Sequence, residues 1–155
     1  NLDIIEKSGV QFIWQTGKYY HESIINQLKD KDLPMLKVTD FISDMGAAYQ
    51  AADLVISRAG ASSISEFCLI GKPVILVPSP NVAEDHQTKN AMALVNKDAA
   101  IYVKDADAPA VLIKKAVGIV EDAQKLASMS ENIKKLGLKN SADVIADEVI
   151  KIATK

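Results

Sequence analysis

The sequence predicts an α/β fold in which a parallel sheet is covered by helices on both faces. Short apolar runs rich in Val, Ile and Leu alternate along the chain with longer segments of helical periodicity. These runs do not alternate with polar residues, a pattern typical of strands buried in a parallel sheet. Hydrophobic residues make up 48% and charged residues 25% of the 155 residues, which is enough apolar material for a globular core and excludes a disordered chain.

The first half of the chain is predicted to contain three strands and two helices. Each strand is a short run of β-branched, aliphatic or aromatic residues, and the third is of the fully buried kind. The first helix ends before Pro34, which cannot continue it, and the second has an Ala-rich face. The predicted strands are 10–15, 36–41 and 54–57, and the predicted helices are 20–33 and 44–52.

The second half begins with two further helix-strand units and is then helical to its end. Gly71 stops the first of these helices, and Pro78 ends the strand that follows. The last segment has breaks near Asp122 and Gly137. The predicted elements are helix 62–70, strand 73–77, helix 86–96, strand 100–103 and the helical segment 108–154. No repeat or interdomain linker interrupts them, so residues 1–155 are expected to form a single Rossmann-like domain.

Charge and cysteine content exclude several classes of protein. The net charge is −2, whereas a dedicated nucleic-acid binder is usually basic, so no nucleic-acid partner is expected. The apolar runs are far shorter than the roughly 20 residues of a membrane span. The single cysteine, Cys68, cannot form an internal disulfide, and this favours a reducing compartment such as the cytoplasm. Cys68 lies among apolar residues and is expected to pack rather than react.

Ligands of open α/β sheets bind beyond the carboxyl ends of the strands, and residues 57–66 (SRAGASSISE) lie at such a place. A strand leads through Gly60 into a helix whose first free amides, at Ala61 to Ser63, could bind an anion. Glu66 could accept two hydrogen bonds from a ribose diol. Alternatively, Ser63 and Glu66 match the S-x-x-E capping box, and the pattern alone favours capping.

A second polar segment, residues 78–90 (PSPNVAEDHQTKN), follows the next strand. Gln87 has both a donor and an acceptor, as required to recognise sugar hydroxyls. The alternative is that Asp85 caps the helix and Gln87 is only solvated, and again the pattern alone favours the structural interpretation.

Taken together, these segments closely resemble one family. The shared motifs occur in one order over nearly the whole chain, as 38–45 (VTDFISDM), 52–61 (ADLVISRAGA), 65–66 (SE), 71–73 (GKP), 77–78 (VP) and 85–91 (DHQTKNA). The chain resembles the carboxy-terminal, donor-binding domain of the MurG family of glycosyltransferases. The resemblance implies a GT-B enzyme that transfers GlcNAc from UDP-GlcNAc to the 4-hydroxyl of MurNAc in lipid I, with inversion, to make lipid II for peptidoglycan.

The resemblance also implies a role for individual residues. The residue matching Ile42 reads uracil through its backbone, and the position of Phe41 lies by the base. The stretch 61–66 surrounds the nucleotide, with Glu66 on the ribose, and Gln87 binds the GlcNAc hydroxyls. The resemblance therefore favours ligand roles over capping. The implied donor-site residues are Ile42, Ala61, Ser62, Ser63, Ile64, Ser65, Glu66 and Gln87, with Phe41, Arg58, Gly60, His86 and Asn90 as further candidates.

Relative to the family pattern, the acceptor-binding domain and the first strand and Gly-rich loop of the donor domain are missing before Asn1. We therefore expect a fragment that is inactive alone and supplies no catalytic base. Contact with lipid I and with the cytoplasmic face of the inner membrane would come through the missing domain. An absent central strand would leave a slot, which is either filled by another segment or accommodated by a rearranged sheet.

Two weaker signals leave alternatives open. Asp105 and Asp107 match the D-x-D metal motif of other transferases, but the helix start at Pro109 favours capping, and no metal or cofactor is expected. Arg58 could either brace the phosphate loop or pair with a carboxylate.

Three other functions also remain open on the sequence alone. The chain could be the donor domain of another UDP-sugar transferase or a non-catalytic nucleotide-sugar-binding subunit. It could also be a flavodoxin-like interaction domain whose motifs are only caps.

Overall fold

The computed structural model describes residues 1–82 and 85–154, so residues 83 and 84 of the second candidate segment, and the last residue of the chain, lie outside the described residues. Strands and helices alternate as predicted. The strands are β1 (Phe12–Gln15), β2 (Leu36–Thr39), β3 (Val55–Ser57), β4 (Val74–Leu76) and β5 (Ile101–Tyr102). The helices are α1 (Leu2–Ser8), α2 (Lys18–Leu28), α3 (Met45–Ala51), α4 (Ala61–Ile70), α5 (His86–Val95), α6 (Ala108–Val120), α7 (Ala123–Lys134) and α8 (Ser141–Ala153).

The strands are all parallel, but they form two sheets instead of one. β1 pairs with β2, and β4 lies between β3 and β5. Within the described residues, no strand pairing joins β1 to β3. The described residues therefore do not form one continuous sheet, in agreement with the slot or rearrangement expected from the sequence.

Helices cover both faces of the three-stranded sheet, as predicted. Val74 and Leu76 of β4 pack in a cluster with residues of α4 and α5. Ile75, between them, points to the opposite face and packs in a second cluster with residues of α6 and α7. The three β4 side chains are fully buried because successive residues of a strand point to opposite faces, and both faces are covered.

Two predicted elements need correction. Strand β3 is not fully buried: Ile56 is exposed, and β3 is the edge strand of its sheet, paired on one side only. The first predicted helix ends at Leu28 and not at residue 33. A turn in which the Lys31 amide donates to the Leu28 carbonyl (3.0 Å) leads the chain out of the helix before Pro34 is reached.

Helix α1 was not predicted. It is only seven residues long, its central Ile5 is buried, and it ends at Gly9 in the left-handed conformation (φ 69°). Asn1 ties its start to α6 by donating from its side chain to the Pro109 carbonyl (2.6 Å). The predicted breaks in the helical carboxy-terminal region are confirmed. Asp122 caps α7 by accepting from the Lys125 amide (2.9 Å), and α7 ends before Gly137.

Replacing Gly137 by Ala should destabilise the fold, because Gly137 lies against the backbone of α4. A β-carbon there would come 2.8 Å from the Cys68 carbonyl oxygen and 3.1 Å from the Cys68 carbonyl carbon, and neither can move as a side chain would. We expect the free energy of unfolding, measured in urea, to fall by about 1–3 kcal/mol. Gly118→Ala is the control, because a β-carbon added at Gly118 in α6 would meet no atom of another element within 4 Å. It should raise stability by up to about 1 kcal/mol. Equal effects of the two substitutions would contradict the packing at Gly137.

Candidate functional site

The turn between β3 and α4 forms the centre of the candidate site. It passes through the fully buried Ala59 to Gly60, which is the N-cap of α4. The first amide to donate within the helix is that of Ile64, to the Gly60 carbonyl (3.0 Å). The amides of Ala61, Ser62 and Ser63 come before this bond and, with the positive end of the helix dipole, can bind an anion such as a phosphate.

The capping box predicted from the pattern alone is not formed. Helix α4 begins at Ala61, so Ser63 lies inside the first turn. The N-cap is Gly60, which has no side chain with which to cap the helix. The Ser65 hydroxyl donates back to the Ala61 carbonyl (3.0 Å). Glu66 is exposed and does not reach back to cap the helix, because the helix starts earlier than the S-x-x-E spacing requires.

The Glu66 carboxylate instead has a side-chain partner. The Tyr49 hydroxyl of α3 donates to Glu66 Oε2 (3.1 Å). Burial raises the pKa of the Tyr49 phenol, and the hydrogen bond and the negative charge of Glu66 raise it further. The phenol is therefore a neutral donor at physiological pH. Tyr49 was missed in the sequence, where it appeared only as one residue of an Ala-rich helix.

Two side chains of α5 hold the turn after β3 in place. Gln87 Oε1 accepts from the amides of Ala59 (3.2 Å) and Ser79 (2.9 Å), and so joins the ends of β3 and β4. Asn90 Nδ2 donates to the Ala59 carbonyl (3.2 Å). Because both backbone partners are N–H donors, the oxygen of the Gln87 amide faces them and its NH₂ group does not. Only its NH₂ group remains to donate to a ligand. Asp85 is the N-cap of α5 but makes no side-chain cap hydrogen bond, and His86, the first residue of α5, is exposed.

Arg58 pairs with a carboxylate, one of the two roles predicted for it. Its guanidinium forms an ion pair with Asp105, which follows β5, and donates to the carbonyls of Val77 (3.1 Å) and Pro78 (3.4 Å) after β4. The ends of β3, β4 and β5 are therefore connected. Asp107 occupies the N-cap position of α6 without a side-chain cap hydrogen bond. Within residues 1–82 and 85–154, no three His, Cys, Asp or Glu side chains converge as a metal site.

Phe41 and Ile42 follow β2, in the other sheet. Phe41 is 62% exposed. The Ile42 amide donates to Gln15 Oε1 at the end of β1 (2.9 Å). A base read by the Ile42 backbone would have to replace Gln15 at this amide. In the described part of the chain, no hydrogen bond joins Phe41 or Ile42 to α4.

Cys68 is buried in the core of the domain, beside Phe67, as the sequence predicted. Burial raises the pKa of its thiol, which makes it a poor nucleophile. None of the described helices is long and apolar enough to span a bilayer.

Comparisons with known proteins agree on one family. The model of the glycosyltransferase family 28 C-terminal domain matches residues 1–146. A UDP-N-acetylglucosamine–N-acetylmuramyl-(pentapeptide) pyrophosphoryl-undecaprenol N-acetylglucosamine transferase of Phocaeicola vulgatus is 65% identical over 99% of the chain. The protein of the same name from Bacteroides fragilis is 67% identical over 98% of the chain. The chain spans 41% and 40% of the length of these curated relatives.

Solved structures show the same fold. The crystal structure of MurG from Acinetobacter baumannii matches 96% of the chain and 46% of its own length, with a TM-score of 0.80 and 25% identity. A glycotransferase of kitacinnamycin matches 94% of the chain with a TM-score of 0.58 and 18% identity, which shows similarity of fold alone.

Proposed function

The chain belongs to the glycosyltransferase family 28 C-terminal domain family, and we therefore propose that it is the donor-binding domain of a UDP-GlcNAc transferase. The reaction is the inverting transfer of GlcNAc to the 4-hydroxyl of MurNAc in lipid I, which gives lipid II for peptidoglycan. The observation that carries this proposal is the identity of 65–67% to relatives named as UDP-N-acetylglucosamine–N-acetylmuramyl-(pentapeptide) pyrophosphoryl-undecaprenol N-acetylglucosamine transferases.

The geometry after β3 supports a nucleotide diphosphate at the start of α4. The free amides of Ala61 to Ser63 suit the diphosphate, and the exposed carboxylate of Glu66, one turn further on, suits the ribose diol. Ser65 is exposed on the same helix, and Ile64 beside it is partly buried against the core cluster. Uracil is assigned to the backbone of Ile42, beside the exposed ring of Phe41.

The sugar is assigned to α5. Gln87 can donate its NH₂ group to a GlcNAc hydroxyl while its oxygen stays bonded to the two backbone amides. Asn90 positions the turn after β3 by donating to the Ala59 carbonyl. Arg58 positions the strand ends through its ion pair with Asp105. Gly60 and His86 lie where the two helices begin, at the carboxyl ends of the strands.

The chemical role of this domain is to stabilise the leaving group. As the acceptor oxygen bonds to the anomeric carbon of GlcNAc, the bond from that carbon to the diphosphate oxygen of UDP breaks, and negative charge develops on the departing UDP. Amides that already point at the diphosphate stabilise that charge without reorganisation. The acceptor hydroxyl must lose its proton to a general base, and we assign this base to another part of the full-length enzyme.

The remaining length of the relatives suggests where the acceptor binds. Because the chain spans about two fifths of those proteins, we assign lipid I and contact with the cytoplasmic face of the membrane to the remainder of such a protein.

Transfer by the full-length enzyme tests the proposed function. The full-length protein, incubated with lipid I and UDP-GlcNAc, should give lipid II with release of UDP. The same protein with UDP-GlcNAc and a lipid phosphate lacking MurNAc is the control. Transfer to a different acceptor but not to lipid I would favour another UDP-sugar transferase, and no transfer to any acceptor would favour a binding subunit.

A further inference from the structure

Tyr49 contacts Glu66 from a neighbouring helix and is the one partner that the described residues give to this carboxylate. Its hydroxyl donates to Oε2 at 3.1 Å across the space between α3 and α4. Glu66 itself is exposed, and an exposed Glu side chain otherwise samples many rotamers. The hydrogen bond therefore selects a subset of Glu66 orientations before any ligand arrives.

The Tyr49 ring is itself held in place by its neighbours, so its hydroxyl can restrict the orientation of the Glu66 carboxylate. It is half-buried against the core and meets the fully buried ring of Phe67 edge to face, with centroids 5.7 Å apart. Helix α3 is fixed at both ends. The Asp44 carboxylate caps its start by accepting from the Ala47 amide (2.8 Å), and Lys72 donates to the Ala52 carbonyl after its last residue (2.5 Å).

We propose that Tyr49 is a positioning residue that orients the Glu66 carboxylate toward the ribose hydroxyls of a uridine nucleotide. This inference rests on the proposed function, in which Glu66 binds the ribose. Tyr49 does not need to touch the ligand. It uses one lone pair of Oε2 and leaves Oε1 and the other lone pair of Oε2 to accept from the two hydroxyls of a cis diol.

The test measures binding of UDP and of 2′,3′-dideoxy-UDP to the full-length protein by calorimetry. The variants are Tyr49→Phe, Glu66→Gln and the double substitution. Tyr102→Phe is the matched control, because Tyr102 is also half-buried against the same core cluster but has no hydrogen bond from its hydroxyl among the described residues. Thermal unfolding is recorded for each protein.

Tyr49→Phe should weaken UDP binding by roughly three- to tenfold, the size expected for one hydrogen bond. Binding of dideoxy-UDP should be unchanged, because that ligand offers no diol to Glu66. In the Glu66→Gln background, Tyr49→Phe should have a much smaller effect, and Tyr102→Phe should leave both affinities as they are.

The inference and the proposed function can fail separately. If Glu66→Gln weakens UDP binding selectively but Tyr49→Phe does not, the positioning role is overturned and the donor site stands. Equal losses for UDP and dideoxy-UDP in Tyr49→Phe would also overturn it, because they indicate a structural role. If the unmodified protein does not distinguish the two ligands, Glu66 does not bind ribose, and the assigned donor site fails first.

Discussion

Replacing Glu66 by Ala should weaken the binding of UDP-GlcNAc by about a hundredfold. Two ribose hydroxyls lose a charged acceptor, and at about 1.5 kcal/mol for each such hydrogen bond the loss is about 3 kcal/mol. Because Glu66 is exposed, the free energy of unfolding should change by less than about 0.5 kcal/mol. Calorimetric titration of the full-length variant measures the first effect, and urea unfolding measures the second.

Glu121→Ala provides the control for this substitution. Glu121 is also exposed but follows α6, in a different part of the chain, and its removal should leave the affinity unchanged. An affinity unchanged in Glu66→Ala would show that this carboxylate does not face the ribose. A large loss of stability would show that it has a structural role that the exposed position does not reveal.

Replacing Gln87 by Ala should reduce both stability and binding. The Gln87 oxygen accepts from two backbone amides, and one of them belongs to the fully buried Ala59. Leaving a buried amide without an acceptor costs about 1–3 kcal/mol, so the free energy of unfolding should fall by about 2 kcal/mol. The turn that carries Gly60 would also lose its link to β4, so the affinities for UDP and for UDP-GlcNAc should both fall.

Gln87→Glu separates the structural role from the sugar-binding role. A carboxylate still accepts from both amides and is favoured near the start of α5, so stability should be retained to within about 1 kcal/mol. It has no NH₂ group, however, so the affinity for UDP-GlcNAc should fall by roughly tenfold more than that for UDP, which the added negative charge beside the diphosphate also lowers.

Gln124→Glu is the matched control for Gln87→Glu. Gln124 is likewise the second residue of a helix, α7, but it is exposed and lies away from the strand ends. Its replacement should change neither affinity. If Gln87→Glu weakened UDP and UDP-GlcNAc equally, the side chain would serve the turn and not the sugar.

The succession of strands and most helices along the chain could be predicted, because the residues of each element themselves carry its pattern. The β4 run is apolar at every position since both of its faces are covered, and Pro78 ends it. The division into two sheets agrees with the slot or rearrangement expected from the motif resemblance. Helix α1 could not be predicted because seven residues with one buried side chain give too short a periodic signal.

The candidate site was predicted less completely because its contacts join distant segments. The pattern Ser63–Glu66 indicates a capping box, but where α4 begins is decided by the turn at Gly60 and not by that spacing. The bonds of Glu66 to Tyr49 and of Ile42 to Gln15 link residues on different elements, so neither partner could be found from one segment. Arg58 was expected either to brace the phosphate loop or to pair with a carboxylate, but its partner Asp105 is 47 residues away in the chain.

A comparison of UDP-GlcNAc with ADP-glucose tests most directly whether this domain holds a uridine-sugar donor site. Calorimetry on the full-length protein should show binding of UDP-GlcNAc and binding of ADP-glucose at least about tenfold weaker, because a base read by the Ile42 backbone must present complementary donors and acceptors. The preference should be observed with no metal added. Equal binding of the two nucleotides, or binding of neither, would contradict the proposed donor site.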